Sequence, residues 1–147
     1  MSRSAYEQLF ELSDSAVRHR NSDINFQRYA FLAASEFLQH VANETTLRSV
    51  YAAHDVTIEA LLAALGAQTE MRIPFASRLV FEFWREPGQI EPTLRILFDG
   101  KAVFPTETGG MHIARFRKFL QDRFRSLFPG AASTADACRL EFAEKLL

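Results

Sequence analysis

At 147 residues, with 48% hydrophobic and 24% charged residues, the chain has the length and composition of one globular domain able to bury a core. A formal net charge of −1 excludes a global field that would draw it to nucleic acid or an acidic membrane. No stretch reaches the ~20 apolar residues of a membrane span, and Met1-Ser2-Arg3-Ser4 does not open onto the apolar core of a signal peptide.

The 14 phenylalanines are many for this size and predict a core packed between layers. In chain order, Ser4 to Val17 sets Tyr6, Leu9, Phe10, Leu12 and Val17 among acidic residues, a moderately amphipathic helix. Arg18-His19-Arg20 is expected to interrupt it as a solvated basic turn. Phe26 to Val41 is the clearest long helix, with Phe26, Tyr29, Ala30, Ala33, Phe37 and Val41 as its apolar stripe. Arg28, Ser35, Glu36, Gln39 and His40 fall on its polar side, and Asp23 or Asn25 is placed to cap its start.

Asn43-Glu44-Thr45 is expected to end that helix and lead into a strand from Leu47 to Ala53. The strand meets His54-Asp55, the only adjacent His and Asp in the sequence, and turns straight into a helix carrying Ile58, Leu61, Leu62 and Leu65. That order sets the pair at the carboxyl edge of a sheet, where open α/β folds bind ligands, beside a helix N-terminus suited to an anion. The plain alternative makes Asp55 an N-cap and His54 a buried, hydrogen-bonded residue. Ala60, Ala63 and Ala64 predict close packing on both sides of this helix, and Gly66 a left-handed C-terminal residue.

Gln68 to Pro74 is a connecting loop. Arg78 to Glu86 alternates, with Leu79, Phe81 and Phe83 opposite Val80, Glu82 and Trp84, and so reads as a strand in which Glu82 pairs with a neighbouring cation. Thr93 to Phe98 is the next strand, and Asp99-Gly100 a hairpin turn returning through Lys101 to Phe104. Pro105, Gly109 and Gly110 mark a loop before a long helix from about Ile113 to Phe128, stopped by Pro129-Gly130. Arg115, Arg117, Lys118, Arg123 and Arg125 make this helix basic; its phenylalanines are expected on the core rather than on a membrane or nucleic acid. After a linker at Ala131 to Thr134, the tail to Leu147 suggests a short final helix. Cys138 is the single cysteine, which rules out an internal disulfide and fits either a reducing compartment or a fragment separated from partner cysteines. The expectation is one α/β domain over 1–147, a partial three-layer sandwich whose mixed sheet has flanking helices.

Tyr51-Ala52-Ala53-His54-Asp55-Val56-Thr57-Ile58 followed by Leu61-Leu62-Ala63-Ala64-Leu65-Gly66 resembles the second catalytic motif of the histidine acid phosphatases. Pro74-Phe75-Ala76-Ser77-Arg78-Leu79-Val80-Phe81-Glu82-Phe83-Trp84 and Leu94-Arg95-Ile96-Leu97-Phe98-Asp99-Gly100-Lys101 are similar to the segments that follow it in that family. The resemblance covers roughly residues 47–104, so the chain is read as a C-terminal portion of the fold. It implies metal-free and cofactor-free hydrolysis of a phosphomonoester through a phosphohistidine, with Asp55 as proton donor and His54 hydrogen-bonded to a phosphoryl oxygen. A carboxyl beside a dianionic phosphate is kept protonated at mildly acidic pH by like charge, as a general acid requires. Family members are usually proteins of the secretory pathway; the compartment of this chain is left open.

The family's nucleophile motif reads Arg-His-Gly-x-Arg, and here Arg18-His19-Arg20-Asn21-Ser22 has Arg20 in place of the glycine. A side chain at that point would enter the space where backbone closes around a phosphate, so His19 is rejected as nucleophile. Cys138 is similar in position to a normally disulfide-bonded family cysteine, but Met111 or His112 stands where its partner is expected. A proton donor without a nucleophile is not an enzyme, so the chain alone is expected to be inactive: a piece of a full phosphatase, or a non-catalytic interaction module that kept the fold. Its substrate in the full-length protein would be a phosphomonoester, and an exposed half-site would favour self-association. A metal-dependent phosphohydrolase using a His-Asp pair on an all-helical fold is the competing enzyme class.

Overall fold

The computed structural model describes residues 3–43, 49–67, 69–104 and 110–143. Helices α1 (Arg3–Ser22) and α2 (Ile24–Asn43) are separated by Asp23 alone. Its carboxylate accepts the backbone N–H of Asn25 at 2.9 Å and its carbonyl accepts that of Gln27 at 3.0 Å, so Asp23 is the cap that starts α2. Helix α1 does not break at Arg18-His19-Arg20, as the sequence had suggested, but continues to Ser22. The basic residues lie in its last turns, where the helix dipole favours positive charge, and two of them reach other elements: Arg18 donates to the Glu70 carbonyl and Arg20 to Glu59.

Helix α2 is the spine, packed against α1, against α3 (Asp55–Ala64) and against α4 (Ile113–Leu127). Its core face only partly follows the expected stripe: Ala30 and Val41 are buried as expected, but so are Phe31, Ala34, Ser35, Leu38 and Ala42, whereas Tyr29 and Ala33 are exposed. Apolar residues occur around much of this helix, so periodicity allows more than one stripe. The one containing Ser35 can be buried because its hydroxyl donates to the Leu32 carbonyl at 2.9 Å and leaves no unsatisfied donor. Alanines at 34, 42, 63 and 64 are buried where α2 meets α3, and small side chains there let the helices approach closely. Gly66 ends α3 with φ 76°, as expected.

The sheet comprises β1 (Leu79–Trp84), β2 (Thr93–Phe98), β3 (Lys101–Phe104) and β4 (Met111–His112). β1 pairs with β2 in register from Leu79 opposite Phe98 to Trp84 opposite Thr93, and β2 pairs with β3 and β4 along its other edge. The β2–β3 turn has φ 48° at Asp99 and 81° at Gly100, the two positive angles of a tight hairpin, and the Asp99 carboxylate accepts the Arg78 N–H at 2.7 Å. Leu94 and Ile96 are fully buried on the helix side, with Leu79, Phe81 and Phe83 packed alongside. On the opposite face Arg95 binds Glu82 at 2.7 and 2.9 Å, the cation pairing expected for Glu82, and Val80 and Trp84 are exposed. Phe116, fully buried on α4, packs against Phe104 and Phe119, so the phenylalanines of the basic helix do face the core. Helix α5 (Thr134–Ala143) completes the described chain.

The α/β class is thus borne out, with two corrections. The described strand pairs are all antiparallel where a mixed sheet was expected. The strand expected from Leu47 to Ala53 is absent over residues 49–53, which pair with no strand among the described residues, with Val50 fully exposed. A β-branched and aromatic run is only a capacity for strand formation; a strand exists when a neighbour takes its N–H and C=O groups. Leu47 and Arg48, the Glu44-Thr45 helix end, Gln68, the Pro105–Gly109 loop and the last residues of the tail lie outside the described residues.

Gly110 marks the tightest backbone approach. A Cβ there would sit 2.6 Å from Thr93 Cγ2 and 2.8 Å from the Leu94 carbonyl oxygen, whereas at Gly88 it would meet nothing within 4 Å. Both have positive φ, so Ala at either site carries about 1–2 kcal/mol of left-handed strain. Gly110→Ala should therefore lose at least ~1 kcal/mol more than Gly88→Ala in urea denaturation, from the added clash. Equal losses would contradict the β2–β4 pairing.

Candidate active site

In the unpaired segment before α3 the Tyr51 ring meets Phe37 of α2 edge-on at 5.4 Å, and Phe37 in turn meets Phe81 of β1 at 5.6 Å. His54 follows with φ −93° and ψ 163°, the extended geometry of a helix N-cap. Its carbonyl accepts the N–H groups of Thr57 at 3.0 Å and Ile58 at 3.3 Å, while its imidazole makes no capping bond. Asp55 is the first helical residue, and one carboxylate oxygen accepts the Val56 N–H at 2.8 Å. A negative group in a first helical turn is favoured by the dipole. Both side chains are exposed. The pair is therefore neither sealed in a core nor at the end of a formed strand; it stands at the start of α3, open to solvent.

Beside Asp55 lies a hollow of about 430 Å³ between α1, α3 and the loop leading to β1. Ser13, Val17 and Arg20 of α1, Asp55 and Glu59 of α3, and Arg72 form most of its wall. Glu59 is 7% exposed, four residues after Asp55 and hence on the same side of α3. A buried carboxylate requires a partner, and Arg20 Nη2 donates to both of its oxygens. The joint is reinforced where the Asn21 side chain donates to the Thr69 carbonyl at 2.9 Å.

Sequence reasoning missed both Glu59 and Arg20. The signal was present: an acidic residue inside the apolar run from Ile58 to Ala64 must either face water or be paired. His19, one residue away, is exposed on the helix with its carbonyl bonded to the Ser22 hydroxyl, an arrangement unlike a phosphate-cradling turn. Elsewhere the cations of α4 are largely committed: Arg117 to the Ala42 carbonyl and Glu91, Lys118 and Arg125 to Asp122. Arg123 reaches Gln27 at 3.2 Å, and burial pushes its guanidinium below its ordinary pKa without removing its charge.

Sequence comparison now adds to this geometry. No family model matches the chain. It is nonetheless similar to curated 2-phosphoxylose phosphatases, in line with the histidine acid phosphatase resemblance of its motifs. It is 38% identical over 104 residues to 2-phosphoxylose phosphatase 1 of Xenopus tropicalis, covering 63% of this chain and 20% of that protein. The Rattus norvegicus protein is 36% identical over 97 residues, covering 58% of this chain and 20% of its own length. The Homo sapiens protein is 36% identical over 111 residues, covering 65% and 22%. The chain therefore spans about a fifth of the length of these curated relatives, which agrees with its reading as a portion of that fold.

Arg20 and Glu59 yield a stability test. Arg20→Ala leaves Glu59 buried without its partner, and should cost about 1–2 kcal/mol; the half-exposed guanidinium keeps the figure below that of a sealed ion pair. In a Glu59→Leu background the same substitution should cost much less. Urea denaturation of the two single variants and the double variant measures this, and additive losses would show that the pair is not coupled.

Proposed function

We propose that this chain carries the acid half of a phosphomonoesterase site, with Asp55 as proton donor and His54 as a donor to a phosphoryl oxygen. The observation that carries the reading is the exposed His54-Asp55 pair at the start of α3, in a motif similar to that of the histidine acid phosphatases. In the first step, a histidine nitrogen supplied from outside these residues bonds to phosphorus as the bond from phosphorus to the alcohol oxygen breaks. Asp55 delivers its proton to that oxygen, so the alcohol leaves neutral. In the second, water attacks phosphorus, the N–P bond breaks, and the Asp55 carboxylate takes up the proton. His54 can direct an imidazole N–H at the charge gathered on the phosphoryl oxygens. The relatives are named for 2-phosphoxylose, which favours a sugar phosphate as the substrate class. The competing metal-dependent reading needs an all-helical fold, and the hairpin sheet of β1 and β2 argues against it.

Without a nucleophile, positioning and charge stabilisation recover little of the rate. Among the described residues the outer edge of β1 is unpaired, and Val50, Phe75, Val80 and Trp84 are exposed nearby in sequence or sheet, which supports self-association.

The purified chain should release no more phosphate from a sugar phosphate at mildly acidic pH than its His54→Ala variant, and should sediment as an oligomer. Monomer that hydrolyses the ester, with activity lost in that variant, would reveal an overlooked nucleophile, and His19 would be the first residue to substitute. In an active relative, Asn at the aspartate matching Asp55 should slow hydrolysis of an alkyl phosphate more than that of nitrophenyl phosphate, whose leaving group needs little protonation. Equal losses would remove Asp55 from the acid role.

A further inference from the structure

A general acid must touch the leaving oxygen, so the surface beside the Asp55 carboxyl is where the alcohol part of a substrate rests. That surface is the hollow between α1 and α3, whose volume of about 430 Å³ suits a sugar-sized group. Its charges decide what such a group must carry. Glu59 and Arg20 neutralise one another. Asp14 accepts the backbone N–H of Arg72 at 3.3 Å and makes no ion pair with its guanidinium. The Arg72 guanidinium lies 4.4 Å over the Phe10 ring of α1. Among the described residues no carboxylate forms an ion pair with it. The ring contact holds the cation in place and leaves its N–H groups without a protein oxyanion, so they can take a planar oxyanion in a charge-assisted pair.

We propose that Arg72 is a specificity-determining residue, and that the hollow takes the alcohol portion of a phosphomonoester bearing a second anionic group, which Arg72 binds. This rests on the reading of Asp55 as the acid, because that reading orients the alcohol toward the hollow. A neutral alcohol would leave the Arg72 fork facing solvent and gain nothing from it. An alcohol carrying a carboxylate or a second phosphate gains a charge-assisted pair at a fixed distance from the scissile ester.

Isothermal titration of the 147-residue chain tests this without turnover. The probes are glucose 6-phosphate, with no second anion, 6-phosphogluconate, with a carboxylate, and fructose 1,6-bisphosphate, with a second phosphate. The chain should bind at least one of the latter two about five- to tenfold more tightly than glucose 6-phosphate, and which one is preferred identifies the oxyanion. Arg72→Gln should erase that preference, bringing the three ligands to about the same affinity, and Arg72→Lys, which keeps the charge and loses the fork, should restore part of it. Circular dichroism of both variants separates loss of binding from loss of fold. Equal affinity for the three ligands, binding of none, or a preference that survives Arg72→Gln would overturn the proposal. An Arg72-dependent preference together with equal losses for alkyl and nitrophenyl phosphates in the relative would remove the acid assignment and keep the subsite. The converse pair of results would remove the subsite alone.

Discussion

The packing of α2 against α3 is the contact on which the rest of the structure depends. Ala34, Leu38 and Ala42 on one helix and Leu61, Ala64 and Leu65 on the other belong to a single buried cluster that continues into Leu94 and Ile96 of the sheet and Phe116 of α4. The position of His54 and Asp55 follows from it, because they are the residues at which α3 begins. A side chain placed by a buried helix has far less freedom than one on a loop, even where, as here, it is exposed to water. The site thus combines a rigid footing with an exposed face. A group that must meet a substrate needs both.

The opposite side of that footing is unfinished. The segment preceding His54 is held through Tyr51 on Phe37, and its backbone pairs with no strand among the described residues. β1 likewise lacks a neighbour on its outer edge. An unpaired lead-in and an unpaired sheet edge both leave backbone N–H and C=O groups open to a further strand. Helix α1 closes the other flank, through Arg20 on Glu59 and through Arg18 and Asn21 on the carbonyls of the loop at residues 69–70. The His-Asp pair therefore sits between one flank that is locked and one that is open.

Most of this was legible in the sequence where local signals and burial agree. The alternation of β1, the Asp99-Gly100 turn, the Gly66 terminus and the phenylalanine face of α4 depend on residues close together in the chain. Failures arose where the deciding partner is distant. Residues 49–53 read as a strand because their composition suits one, but strand formation is settled by a neighbour that the sequence segment does not contain. The face of α2 was misjudged because Ser35 looked polar, and its hydroxyl is satisfied within its own helix turn. Arg18-His19-Arg20 read as a solvated turn because its partners, Glu59 and the Glu70 carbonyl, lie about 40 to 50 residues further on. The His54-Asp55 pair itself stood out through motif order rather than through periodicity.

Amide hydrogen exchange along residues 49–65 tests the central claim most directly, that an ordered helix presents the pair from an unpaired lead-in. Amides of Val50 to His54 should exchange at nearly the rate of an unstructured peptide, while those of Leu61 to Leu65 are protected to close to the global stability. Protection of Val50 to Ala53 equal to that of β2 would show that the strand is already formed, and would contradict an open half-site.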